Sequence, residues 1–360
     1  MKIKRLLIQN FRNIAFLDLS PSPSFNVIYG ANGTGKTSFL EAISYLGFGR
    51  SFRTSKYQSL IKDEDPFFSI SADLLRDEDS FTDEVGLIRY RQKSQNSVIS
   101  VNTTRSSRII DLIDKTSVQV IHPQGINLVL EGPELRRNFL DWGIYYTLPE
   151  YKKIWSDYKR LLNSRNALLR EKQDLSYLEF IDNPLSELSE NISELRENYL
   201  ESLLPILSEK LSLFLPDFSF EFSYSKGWEK GISLSSVLAL NIEKDRNLGY
   251  TFYGCHRADL KIKTNNFPAS ELLSRGQLKL LVCAMRLAQG ELLKQEANKR
   301  CIYLIDDISS ELDERSRSIL LQDLRKSDNQ VFITNIAKDI KIQECEDAML
   351  IDIASLVFNI

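Results

Sequence analysis

Phe25-Asn26-Val27-Ile28-Tyr29, then Gly30-Ala31-Asn32-Gly33-Thr34-Gly35-Lys36-Thr37, then Ser38-Phe39-Leu40-Glu41-Ala42-Ile43-Ser44-Tyr45-Leu46, is the stretch whose reading decides the fold. Its middle eight residues fit the pattern G-x-x-x-x-G-K-[ST]. They stand where that pattern has meaning, after a short apolar strand and before apolar residues at helical spacing. Glycines let consecutive backbone N–H groups curl around phosphate oxygens, and the following helix adds its positive N-terminal end. Lys36 is placed to reach the β- and γ-phosphates, and the Thr37 hydroxyl to coordinate magnesium. An accidental glycine-rich turn would carry neither the strand nor the helix, so ATP with Mg2+ is the expected ligand.

A second phosphate-site element lies far downstream. Cys301-Ile302-Tyr303-Leu304-Ile305-Asp306-Asp307 is an apolar strand ending in two carboxylates. Buried strands of parallel sheets read this way, and ligands gather at their carboxyl ends. Asp306 is expected to hold magnesium, and Asp307 to orient the attacking water as the catalytic carboxylate, with Lys36 beside it. Between the two elements, Leu273-Ser274-Arg275-Gly276-Gln277 opens a helical run from Leu278 to Ala288. Ser274 suits an N-cap, and Gly276 permits close backbone approach. Alone, that segment reads as an ordinary capped helix.

Composition narrows the class. The 360 residues suggest two lobes, and 42% hydrophobic with 26% charged residues is ordinary for a soluble protein. No apolar run approaches the roughly 18 residues of a membrane span. The N-terminus from Met1 to Ile8 reads as a first strand and not as a signal peptide. Cys255, Cys283, Cys301 and Cys345 are scattered, and only His122 and His256 could join them, so a zinc site is not expected. Cys255-His256 as a nucleophile pair is disfavoured, because strand neighbours point to opposite faces. A cytoplasmic location follows. The net charge of −3 argues mildly against a nucleic-acid partner without excluding a local basic surface.

The order of these elements resembles the ABC-type ATPases. Ser274, Gly276 and Gln277 match the signature, Ile302 to Asp307 the Walker B strand, and Ser310-Glu311-Leu312-Asp313 the D-loop. The resemblance implies that Ser274, Gly276 and Gln277 complete a site on a second subunit's P-loop. More narrowly, nearly the whole chain resembles the RecF family of bacterial recombination mediators. The matching pieces are Ile8-Gln9-Asn10-Phe11-Arg12-Asn13, Gly47 to Arg53, Glu134 to Asp141, Gly254 to Leu260 and Leu273 to Gln289. It implies Arg12 at the ATP site, and an ATP-dependent homodimer that clamps gapped, single-strand/double-strand DNA. It further implies partners RecR and RecO in loading RecA, supporting repair and the SOS response. Asp307 stands where most ABC ATPases carry Glu, so slow hydrolysis is expected. Thr334-Asn335 stands where an ABC switch histidine would be, and Asn335 can hydrogen-bond a γ-phosphate without acting as a cation. Gln124, after Val120-Ile121-His122-Pro123, reads equally as a magnesium-sensing Q-loop residue or as a strand-exit turn.

The fold class expected is α/β, a P-loop ABC-type head with a mixed sheet plus an inserted, mostly helical lobe. The head takes residues 1–121 and 250–360, and the insert 122–249. Residues 67–74, 84–92 and 97–103 are β-like; 150–172 and 186–214 show helical steps. The helix near 151–170 carries Lys152, Lys153, Lys159, Arg160, Arg165 and Arg170 with Tyr151, Trp155 and Tyr158 interleaved. A DNA-facing surface and a solvated face both fit; Arg50, Arg53, Arg136 and Arg137 are further basic candidates. A transporter subunit would place its signature closer to Lys36 than Ser274. An SMC-like structural head acting on chromosomes is the alternative, but 122–249 is too short for a long coiled coil and is interrupted by Pro149, Pro184, Pro205 and Pro216.

Overall fold

Apolar residues at Ile3, Leu6, Ile8 and Phe11 begin the chain as a strand, with the pairing register shifting between Ile3 and Arg5. The computed structural model describes every residue except 77–80, 93, 107, 172–175, 309–311, 337–346 and 358–360. It divides into two units: Met1–Gly125 with Lys279–Ile360, and Ile126–Leu278. In the first unit β1 (Lys2–Phe11), β2 (Ile14–Leu19), β4 (Phe67–Leu75), β5 (Thr82–Tyr90), β6 (Val98–Val101) and β7 (Thr104–Ser106) form an antiparallel sheet. Its order is β2-β1-β4-β5-β6-β7. The burial of β4 alternates strictly, the period-2 mark of a sheet with one covered face.

The second sheet of this unit is parallel. It contains β3 (Phe25–Tyr29), β8 (Val118–Ile121), β12 (Ile302–Ile305), β13 (Gln330–Asn335) and β14 (Met349–Asp352), in the order β14-β3-β13-β12-β8. Every residue of β8, β12 and β13 is buried, as continuous apolar strands require when helices cover both faces. Helix α1 (Lys36–Phe48) leaves β3 through the glycine-rich loop, and Ser38 to Gly47 are buried without a break. Phe39, Leu40, Ile43 and Leu46 join one core with Leu6, Ile8 and Phe68 of the antiparallel sheet and Ile28, Leu304 and Phe332 of the parallel one. The helix is thus sandwiched, and each such side chain contributes about 1.5–3 kcal/mol of burial. Gln330, fully buried, ties the two sheets polar end to polar end. Its Oε1 accepts from Ile3 N–H at 2.7 Å and its Nε2 donates to the Ile3 carbonyl at 2.9 Å. The short α2 (Ile109–Ile113), α11 (Glu314–Lys326) and α12 (Ile353–Val357) complete this unit.

The second unit holds α3 (Asn127–Leu130), α4 (Pro133–Thr147), α5 (Tyr151–Glu171), α6 (Ser176–Phe214), α7 (Leu234–Leu240), α8 (Ile242–Leu248) and α9 (Ala269–Leu272). Strands β9 (Phe220–Ser225), β10 (Asp259–Thr264) and β11 (Phe267–Pro268) make a small antiparallel sheet within it. Helix α10 (Arg275–Ala297) starts here and runs on into the first unit. Two sequence expectations need revision. Residues 250–278 belong with this unit, because β10 pairs with β9 along six residues. Pro184 and Pro205 do not interrupt α6, which continues for 39 residues. A proline inside a helix costs about 3 kcal/mol or more, offset here by packing of α6 on α4, α5 and α7.

Candidate nucleotide site

The loop after β3 is shaped by backbone that only glycine adopts cheaply. Gly33 and Gly35 sit at φ +82° and +108°, and a Cβ on Gly35 would lie 2.9 Å from Asn13 Nδ2. Asn13 donates to the Gly33 carbonyl at 3.2 Å, fixing the loop against the β1–β2 turn. Thr34 Oγ1 closes the loop on the Ala31 carbonyl at 2.8 Å. Lys36 Nζ donates to the carbonyls of Gly30 at 2.6 Å and Ala31 at 2.8 Å. Burial lowers the pKa of this ammonium, while Asp307 and Asp306 oppose the shift.

Strand order brings the acids to the loop. β13 lies between β3 and β12, so residues at the carboxyl ends of three strands converge. Thr37 Oγ1 lies 3.1 and 3.2 Å from the two carboxylate oxygens of Asp306. Thr334, at the end of β13, donates to Asp306 Oδ1 at 2.8 Å and accepts from the Asp307 N–H at 2.7 Å. Asp307 is held in the left-handed region at φ +54°. Burial raises the pKa of Asp306 above its ordinary value, against the hydrogen bonds from Thr334 and Thr37. A hydroxyl and a carboxylate at this spacing are hard oxygen donors of the kind magnesium takes together with substrate phosphates. The site therefore fits that ion, which Thr37 and Asp306 would hold.

These groups line one cavity of about 800 Å³, with Arg12, Asn13, Asn32, Gly33, Gly35, Ser38, Asp307 and Thr334 on its walls. Arg12 reaches the wall at φ +55°. Its Nε and Nη2 clamp the two oxygens of Glu41 at 3.0 and 2.9 Å, and Glu41 is fully buried. Arg53 also lines the cavity and lies 3.8 Å from Glu41. The sequence offered Arg53 as a DNA contact, yet the structure sets it at the nucleotide cavity, because Ser51, itself bonded to Glu41, receives the Arg53 N–H at 2.9 Å and turns the chain inward. Arg50 is exposed outside the cavity.

The remaining candidates have other surroundings. Gln124 is exposed on the turn Pro123–Ile126, and Pro123 takes the cavity wall instead. Asn335 is buried at the end of β13, where Thr334 and Ile336 line the cavity in its place. Sequence reasoning named Thr334 only as the neighbour of Asn335 and passed over Glu41. Their signals were a hydroxyl at the end of a buried strand and an acid one turn into α1. Ser274 and Gln277 form a capping box: Gln277 N–H donates to Ser274 Oγ at 3.3 Å, and Ser274 N–H to Gln277 Oε1 at 2.8 Å. Gly276 lies inside that first turn. Asp313 caps α11, accepting from the Ser316 N–H at 2.9 Å. Ser310 and Cys345 lie outside the described residues. On α5, Lys153, Lys159 and Arg160 are exposed and Lys152 is half-buried. Lys159 sits over the Trp155 ring at 5.3 Å, and Arg160 pairs with Asp157 at 3.2 Å. Arg165 leaves the basic face altogether. It is fully buried, with Nε 2.6 Å from Asp182 and Nη1 2.6 Å from Asp245.

A P-loop on β3, an acid pair after a strand two positions away, and a parallel sheet backed by an antiparallel one define an ABC-type P-loop ATPase head. Comparison with known proteins agrees and narrows the class. The family model for the RecF/RecN/SMC N terminal domain matches residues 2–353. The DNA replication and repair protein RecF of Mannheimia succiniciproducens is 42% identical over 339 residues, 94% of this chain and 93% of that protein. RecF of Haemophilus influenzae is 39% identical over 360 residues, 100% of this chain and 99% of its own. The chain belongs to the RecF family. A solved structure of the recombination mediator RecF with ATP superposes with a TM-score of 0.86 at 29% identity, covering 94% of each chain. An SMC head bound to the C-winged helix domain of ScpA matches at 0.57 and 16% identity over 94% of this chain and 90% of its own, a likeness of fold. Among the described residues no helix is long and apolar enough to cross a membrane.

Proposed function

We propose that this chain is an ATP-gated, dimeric DNA clamp of recombinational repair and replication restart. The observation that carries the reading is the convergence of Lys36, Thr37, Asp306, Asp307 and Thr334 on one cavity. Relatives named for DNA replication and repair, and a solved relative with ATP, support the same ligand and setting. Lys36 and the loop amides bind the phosphates, and Asp307 orients water. Thr37 and Asp306 would hold Mg2+, which would supply charge neutralisation of the phosphates. Arg12, on the cavity wall, belongs to the ATP-responsive surroundings.

Turnover is slow in this reading, since Asp307 is one methylene shorter than Glu and its carboxylate stands farther from the water. Ser274, Gly276 and Gln277, with the D-loop residues Ser310 and Asp313, act on the ATP of a second copy, so ATP closes the dimer and hydrolysis opens it. The unit Met1–Gly125 with Lys279–Ile360 supplies the head, and Ile126–Leu278 supplies the DNA grip. The substrate is gapped DNA at a single-strand/double-strand junction, the partners are RecO and RecR in loading RecA, and the setting is cytoplasmic and SOS-linked.

The deciding experiment measures molecular mass and gapped-DNA affinity with ATP, with ADP and without nucleotide. A dimer and tight binding only with ATP support the clamp. A persistent monomer that binds DNA regardless of nucleotide removes it.

A further inference from the structure

The segment Gly254-Cys255-His256-Arg257-Ala258-Asp259-Leu260 carries part of the family resemblance, and no residue of it lines the nucleotide cavity. Its own polar groups hold the turn in place. Cys255 N–H donates to Ser189 Oγ at 2.8 Å, and the Cys255 carbonyl accepts from Arg196 Nη1 at 2.7 Å. His256 is bonded at both nitrogens, to Tyr158 OH at 2.7 Å and the Thr251 carbonyl at 3.0 Å. The Ala258 carbonyl accepts from Arg137 at 2.7 Å, and Asp259 pairs with Arg136 at 2.7 Å. Gly227 packs so closely beneath that a Cβ there would lie 2.3 Å from the Gly254 carbonyl.

Arg257 is the exception. It is exposed, and among the described residues no carboxylate lies within ion-pair distance of it. Its guanidinium stands 5.4 Å from the Tyr250 ring and 5.7 Å from the Phe252 ring. Lys244, equally exposed and without an acid among the described residues, lies 3.5 Å from the Phe252 centroid and 4.9 Å from that of Tyr253. The neighbouring acids are engaged elsewhere, Asp245 by Arg165 and Glu243 by Arg246. Tyr250 remains 36% exposed. Two cations without counter-charges, ranked against three rings beside that locked turn, are held in place before any ligand arrives.

We infer that Lys244, Tyr250, Phe252, Tyr253 and Arg257 form a binding surface for single-stranded nucleic acid. Arg257 and Lys244 take phosphates, and Tyr250 stacks a base. The inference rests on the DNA-binding reading above. Unpaired bases are favoured over a duplex because a duplex presents phosphates alone to such a surface, whereas exposed rings reward bases free to stack.

The test is fluorescence anisotropy with a labelled oligo-dT strand and a duplex of equal length, using the full chain with ATP across a salt series. The variants are Tyr250→Ala, Tyr250→Trp and the double Lys244→Gln/Arg257→Gln, with ATP affinity and Tm as controls for folding. Tyr250→Ala should weaken single-strand binding roughly ten-fold, the loss of one stacked base, while Tyr250→Trp retains it. The double variant should flatten the slope of log affinity against log salt by about 1.4, two single-strand phosphate contacts. Duplex affinity should stay within about two-fold. Unchanged single-strand affinity overturns the inference, as does an equal loss for strand and duplex. Variants that lose only competition by an acidic peptide assign the surface to a protein partner and overturn it too. If the unaltered protein binds duplex but not single strand, the surface falls and the clamp stands. If it binds no DNA at all, the clamp falls first and takes the surface with it.

Discussion

Within the cavity, single atoms separate binding from turnover. Lys36→Ala removes a charge-assisted contact worth about 1.5–3 kcal/mol, so ATP affinity should fall roughly ten- to a hundred-fold; calorimetric titration of the folded variant checks it, and an unchanged Kd denies the loop its role. Asp307→Asn keeps the shape and loses the charge. It should retain ATP, prolong the ATP-bound dimer and abolish phosphate release, whereas full turnover would move the water-orienting role to another residue. A different residue-scale effect concerns His256. Because the Thr251 carbonyl only accepts, Nε2 carries the proton and Nδ1 accepts from Tyr158 OH. Burial depresses the pKa of His256 to about 4, and of His122 likewise to about 4. The unfolded chain therefore takes up protons that the folded chain refuses as pH falls from about 6.5 towards 4. Stability should be full above that window and lower by roughly 2 kcal/mol per histidine at pH 5. Urea midpoints at pH 7.5 and pH 5 check this, and His256→Gln should show a smaller difference between the two pH values than the unaltered protein.

Single elements were legible in the sequence where one rule dominated. The strand, loop and helix from Phe25 to Leu46 satisfied a motif, a periodicity and a burial pattern together, and Ile302 to Asp307 read as a buried strand for the same reason. Helix α6 did not, because local proline rules ignore the tertiary packing that carries it past Pro184 and Pro205. The Glu41 clamp on Arg12 joins residues 29 apart, and no single-sequence period encodes that separation. The start of α10 carries the element-scale prediction. Lys36→Ala and Ser274→Arg should each be inactive alone. If Ser274 serves the ATP of a second copy, a mixed dimer joins one intact loop to one intact helix start, and mixing the two variants should restore up to one working site. If both elements serve their own chain, mixing restores nothing, and hydrolysis and ATP-dependent crosslinking measured together distinguish the two.

For the whole molecule, a net charge of −3 does not forbid a polyanionic ligand, because affinity depends on which cations release counterions locally. DNA affinity should accordingly fall steeply with salt, and replacing Lys152, Lys153, Lys159 and Arg160 with Ala should flatten that slope if α5 touches phosphates; an unchanged slope returns α5 to a solvated face. The parallel sheet has a further consequence. Among the described residues β3 pairs only with β13 and β14, and β8 only with β12, so the strands that partner both early strands of that sheet lie in the last third of the chain. On the ribosome, at about 5–20 residues per second, β3 waits on the order of 15–60 seconds for its neighbours. Residues 126–278 are contiguous and complete their own sheet in the meantime. The nascent ATPase half thus spends that interval with unpaired apolar strand edges, a substrate for chaperones and a hazard for any message cut short before β13.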